Sequence, residues 1–134
     1  MTKEEKNELV IYRIAKARDT FRELDLLVSN QLWNTAVNRL YYACYYAVIA
    51  LLINNEINTN THAGVRQLFG LHYIKTGIVE QDLGKFYSRL FDLRRTGDYD
   101  DFIDFSEEDV LDLLQPANEL IIRIEILLSA TASK

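Results

Sequence analysis

Leu9, Ile11, Tyr12, Ile14, Ala15, Ala17, Phe21, Leu24, Leu27 and Val28 recur at spacings of three and four, with charged residues between them. That period predicts an amphipathic helix over about 3–29. Thr2 and Glu5 supply a capping box at its start, serine or threonine with glutamate three residues on. After a break at Ser29-Asn30 the pattern changes. The stretch QLWNTAVNRLYYACYYAVIALLINN, about 31–55, is apolar on nearly every face beyond Arg39. Such a helix must be surrounded by others, and Ala36, Ala43, Ala47 and Ala50 give neighbours room to approach.

The polar run NNEINTN (54–60) reads as a connection, and Asn60 or Thr61 can cap a third helix over about 61–75, with Gly77 at its end. A fourth helix is predicted over about 80–95, ended by Gly97. Ser106-Glu107-Glu108-Asp109 opens a fifth, with three carboxylates where the helix dipole favours them. Pro116 is expected to kink or split that helix near Gln115, and ANELIIRIEILL continues the amphipathic pattern. The chain shows no repeat and no low-complexity tract, so residues 1–134 read as one domain. Four or five helices with short connections imply an all-α, up-and-down bundle.

Composition supports the same class. Five Gly and one Pro in 134 residues are few for the turns of a sandwich or barrel. A net charge of −5 argues against a surface that grips a phosphate backbone all over, while leaving a local basic pocket possible. The lone Cys44 permits no intrachain disulfide and reads as a small buried residue. The charged N-terminus has no apolar signal region, and the uncharged stretch Leu40–Ile53 is short of a membrane span, so a soluble cytoplasmic protein without membrane attachment is expected.

The chemistry concentrates in FDLRRTGDYDDF, residues 91–102. Arg94 and Arg95 have two readings. As structure, they answer the negative end of a helix and pair with nearby aspartates. As a site, two guanidiniums beside a glycine turn and the Tyr99 hydroxyl could grip a phosphate. The eight carboxylates from Asp98 to Asp112 would repel that phosphate unless they face elsewhere. These acids are not a calcium loop: counted from Asp98, the glycine and glutamate positions hold Ile103 and Asp109.

His62 reads as a capping or exposed residue, and no metal-ligand spacing or phosphate-binding glycine loop is present, so neither metal nor cofactor is expected. Asn38, Arg39, Tyr42 and Tyr46 partly share a helix face. Arg39 then has an acid such as Asp98 as its expected partner, tying the second helix to the fourth; alternatively, Arg39, Arg94, Arg95 and Tyr99 line one nucleotide-sized cleft. The stripe Tyr41, Tyr42, Tyr45, Tyr46 reads as core or dimer interface, because base-stacking aromatics come with a basic surround, which is absent here.

Three blocks, AVNRLYYACYYAVIALL (36–52), THAGVRQLFGLHYIKTG (61–77) and SRLFDLRRTGDYDDF (88–102), together resemble the HEPN domain family, and within it the small stand-alone UPF0332 group. The resemblance implies a helical bundle like the substrate-binding subunits of nucleotidyltransferases, usually a homodimer, often paired with a nucleotidyltransferase protein in toxin–antitoxin systems. Many such proteins are metal-independent endoribonucleases whose signature is an arginine, four to six residues, then a histidine. Here Arg94 takes the arginine position, and Tyr99, Asp100 and Asp101 stand where the histidine would fall. Arg66 and His72 match the spacing by chance, since six helical positions turn them about 240° apart.

RNA cleavage by 2′-hydroxyl attack needs proton exchange near neutral pH, which histidine provides unperturbed. An ordinary tyrosine titrates near ~10 and an aspartate near ~3.9, so neither replaces it without a large shift. The expected role is therefore a module binding a nucleotide, an RNA phosphate or a nucleotidyltransferase partner. Its ligand residues would be Arg39, Arg94, Arg95, Asp98 and Tyr99. The alternative is a nuclease with a degenerate site using Arg94 and Tyr99. Analogy with paired systems adds nucleotide transfer onto Tyr99.

Overall fold

Five α-helices form the bundle in a computed structural model, which describes residues 1–132: α1 (Lys3–Ser29), α2 (Trp33–Asn54), α3 (His62–Phe69), α4 (Gln81–Tyr99) and α5 (Glu107–Ala132). The expected capping box closes the start of α1, where the Glu5 amide donates to Thr2 Oγ1 at 3.0 Å and the Thr2 amide to Glu5 Oε2 at 3.2 Å. Thr61 Oγ1 accepts from the Gly64 amide at 2.9 Å and starts α3. α3 runs on into a five-residue π turn, Gly70–Ile74, and Gly77 follows at φ 81°, the left-handed conformation that favours glycine.

α2 is the centre, as its apolar faces require. It packs against α1, α3, α4 and α5, while α1 and α4 do not meet. At 22 residues α2 is long and apolar enough to cross a membrane, longer than the uncharged stretch alone suggests. Its surface is instead taken up by the bundle: Ala36, Ala43, Ala47 and Ala50 are all fully buried where neighbouring helices come close. Cys44 is buried among them, and burial pushes its thiol up and keeps it inert.

Two expected breaks are absent. α5 is not split at Pro116. An interior proline costs about 3 kcal/mol, but Val110, Leu113, Ala117, Leu120, Ile121 and Ile124 form one buried stripe on both sides of it. Each of its Val, Leu and Ile side chains contributes about 1.5–3 kcal/mol on burial. Asp112, whose carbonyl loses its donor, is exposed and open to water. Nor does α4 end at Gly97; it continues to Tyr99.

Gly97 serves close packing instead, because a Cβ there would stand 2.7 Å from Cε2 of the buried Phe105. Gly97→Ala is therefore expected to destabilise the fold by about 1–2 kcal/mol, overpacking outweighing the gain in helix propensity. A urea melt checks the sign, and a stabilised variant would contradict this packing.

The linker that brings Phe105 there is pinned to the first turn of α2. Asn34 accepts from the Phe105 amide at 2.8 Å and donates to the Ile103 carbonyl at 3.3 Å. Ser106 then caps α5 by exchanging bonds with Asp109, whose carboxyl those bonds hold below the usual range.

Candidate functional site

Because α1 and α4 stand apart, the face of α2 between them carries Arg39, Tyr42, Tyr45 and Tyr46 only partly covered. Arg94 reaches this face from α4 and is 8% exposed. Its guanidinium lies 4.6 Å from the ring centre of Tyr41 and 5.7 Å from that of Tyr42, a cation–π arrangement. Its hydrogen bond to Asp98 Oδ2 is long, at 3.4 Å, and its Nε is buried without a partner. Burial alone would lower the pKa of Arg94, but Tyr42, Tyr41 and Asp98 outweigh it and keep the charge fixed. Asn38 donates to both oxygens of Asp98 at 3.3 Å, which links α2 to α4.

Arg39 pairs elsewhere than expected. Its Nε donates to Glu23 Oε2 of α1 at 2.8 Å, so it ties α2 to α1 rather than to α4. The reason is position: α1 lies alongside this part of α2, while Asp98 is already held by Asn38 and Arg94. Arg39 still borders the corner, with its guanidinium 6.0 Å from the Tyr42 ring centre.

The five expected ligand residues thus fall into two groups. Arg39, Arg94 and Asp98 gather around Tyr42. Arg95 and Tyr99 line a separate open depression of about 460 Å³ with Asp92, Thr96 and Asp100. Tyr99 is 80% exposed at the end of α4. Consecutive helical positions point about 100° apart, and so Arg94 turns inward while Arg95 turns out.

His62 is the residue that sequence reasoning missed. It is neither free in solvent nor a capping side chain. Its Nδ1 lies 2.8 Å from the Tyr41 hydroxyl, and its ring stacks on Tyr45 at 4.4 Å between centres. Tyr42 meets the same ring edge-on, at 5.8 Å and 87°. Burial lowers the pKa of His62, and the charge of Arg94 lowers it further. Burial pushes the Tyr41 hydroxyl up to about 12 and raises that of Tyr45 as well. At neutral pH the site is therefore a fixed cation beside a neutral imidazole and protonated phenols. A proton acceptor does stand near Arg94, brought there by α3 rather than by the downstream spacing.

The tyrosine stripe is also less bare than its local sequence suggests. Lys16 Nζ of α1 lies 4.8 Å from the Tyr46 ring centre, and Arg13 of α1 acts electrostatically on Tyr45. Together with Arg39 and Arg94, these residues give the aromatic face a basic surround drawn from three helices. Tyr41 alone is fully buried core.

The titration of His62 reports this geometry directly. By NMR its pKa is expected below the ordinary ~6.5, and Arg94→Gln should raise it while leaving the burial contribution in place. Because the folded state resists protonation, His62 contributes stability above its unfolded pKa that is lost as pH falls through the folded one. A pKa unmoved by Arg94→Gln would place the two groups too far apart to couple.

The fold and this corner define an all-α bundle carrying an arginine, tyrosine and histidine cluster drawn from its first four helices. The HEPN domain profile matches residues 10–127, and the chain belongs to the HEPN domain family. A UPF0332 protein of Thermotoga maritima is 40% identical over 124 residues, 92% of this chain and 94% of the relative. The protein named "Putative toxin MJ0142" of Methanocaldococcus jannaschii is 34% identical over 101 residues, 75% of this chain and 69% of its own. A second protein of that organism, "Putative toxin MJ0605", is 34% identical over 83 residues, 62% of each chain.

Proposed function

We propose that this chain is a toxin-type HEPN module that binds the phosphate backbone of single-stranded RNA at the Arg94 corner. One observation carries this reading: a buried guanidinium lies close to the rings of two tyrosines while its ion pair with Asp98 is long and its Nε is unsatisfied. A phosphate can replace that carboxylate and take two parallel bonds from the arginine. Tyr42, Tyr45 and Tyr46 then offer ring faces for bases, and Lys16, Arg13 and Arg39 offer charge along the strand. A second copy of the chain would place two such corners in one assembly, and a nucleotidyltransferase protein is the partner class that would regulate it. Fluorescence anisotropy with a labelled single-stranded RNA tests the reading. Affinity should fall with salt, as phosphate contacts require, and an absence of binding at low salt would defeat it.

The Tyr41–His62 contact favours a second reading, metal-independent cleavage at the same corner. With its Nδ1–H donating to the Tyr41 oxygen, His62 would accept the 2′-hydroxyl proton at Nε2 as that oxygen attacks phosphorus, and the 5′-oxygen would leave and take a proton from solvent, giving a 2′,3′-cyclic phosphate and a 5′-hydroxyl end. Arg94 would stabilise the charge that develops on the phosphate oxygens. Cleavage in EDTA that disappears in His62→Asn supports this mechanism; RNA that stays intact with the native protein rules it out.

A further inference from the structure

A cleft between the π turn and the first half of α4 shares no lining residue with the Arg94 corner. Its volume is about 530 Å³, within the range of about 300–1,000 Å³ for small-molecule sites. Arg66 from α3, Lys75 just after the π turn and Lys85 from α4 line it, and no carboxylate is among its lining side chains. In a chain of net charge −5, three cations around one cleft run against the average.

Arg66 is preset, its guanidinium 4.3 Å from the Phe91 ring centre and 3.5 Å from Asp92. Phe69 and Ile74 give the cleft apolar wall, and Gly70 leaves it open, since nothing lies within 4 Å of where a Cβ would stand. π turns are rare and recur at functional sites.

We propose that this cleft binds a small phosphorylated ligand with a flat apolar body, of the nucleoside monophosphate class. The phosphate sits between Lys75 and Lys85, and the ring lies along the half-exposed wall at Ile74 and Gly70. Two ammonium groups complement a phosphate dianion, and an apolar wall beside them suits a planar base. This second site is independent of the RNA-strand reading, since it uses other side chains and other cations of the helices the two sites share.

Titration of the intact protein with adenosine monophosphate, followed by ¹H–¹⁵N NMR, tests it. The Gly70 and Gly84 amides are expected to shift saturably while the Gly97 amide stays in place. Lys75→Glu and Lys85→Glu change exposed side chains, so both variants should fold. Each should weaken binding by about tenfold or more, since each replaces attraction with repulsion. Arg94→Ala should leave the affinity for adenosine monophosphate within about twofold. Adenosine and inorganic phosphate, each alone, should bind more weakly than the nucleotide. An absence of saturable shifts, an affinity unchanged by both lysine reversals, or phosphate binding as tightly as the nucleotide would each overturn the proposal. Loss of RNA binding without loss of these shifts would count only against the first site.

Discussion

Arg94→Ala is expected to weaken single-stranded RNA binding by about 10–150-fold, the scale of charge-assisted bonds worth about 1.5–3 kcal/mol. Alanine removes the only guanidinium that lies over both Tyr41 and Tyr42 among the described residues. Arg94→Lys separates charge from shape. It keeps the cation but loses the planar shape and the paired donors, so its affinity should fall between alanine and native. Asp98→Asn should act in the opposite direction, because it removes the carboxylate that competes with phosphate for Arg94. Anisotropy titrations at one fixed salt concentration measure all three, with circular dichroism confirming that each variant is folded. If alanine and native bind equally well, the phosphate does not sit at Arg94.

Leu120→Ala should cost about 2–5 kcal/mol of stability, a large share of the roughly 5–15 kcal/mol typical of a domain. Leu120 is fully buried in the stripe of α5 that faces α2. The loss combines apolar transfer with the cavity left behind, which rigid helices on several sides fill poorly. The urea midpoint should drop with little change in slope, and RNA affinity per folded molecule should stay native because α5 contributes no side chain to the corner. A loss below 1 kcal/mol would mean that α5 packs more loosely than its buried stripe indicates.

Most of the bundle was legible because helix signals are local. Capping pairs such as Thr2 with Glu5, and the contrast between an amphipathic α1 and an all-round apolar α2, need no knowledge of the rest of the chain. Gly97 and Pro116 misled for the same reason. Each is a strong local punctuator, and each was overridden by a long-range contact, Gly97 by the Phe105 ring and Pro116 by the α5 stripe buried in the bundle.

The site divides in the same way. Arg94 was visible in its block, while His62 belongs to another block and is brought to Arg94 through Tyr41 and Tyr42. The basic surround of the tyrosines was hidden because Arg13 and Lys16 lie a whole helix earlier, and only the antiparallel pairing of α1 with α2 brings them alongside. The Tyr41-Tyr42-Tyr45-Tyr46 run was a hint that something polar had to meet those hydroxyls.

The central position of α2 also sets the order in which the chain becomes safe during its own synthesis. α1 and α2 emerge first, and they can pair as a hairpin, yet the side of α2 that α5 covers must wait until residues 107–132 have left the ribosome. For that interval a nearly uninterrupted apolar helix is half-clothed, attractive to chaperones and to other nascent copies. A ribosome stalled before α5 would thus release a sticky fragment rather than a smaller working protein, and cells making this chain depend on finishing it promptly.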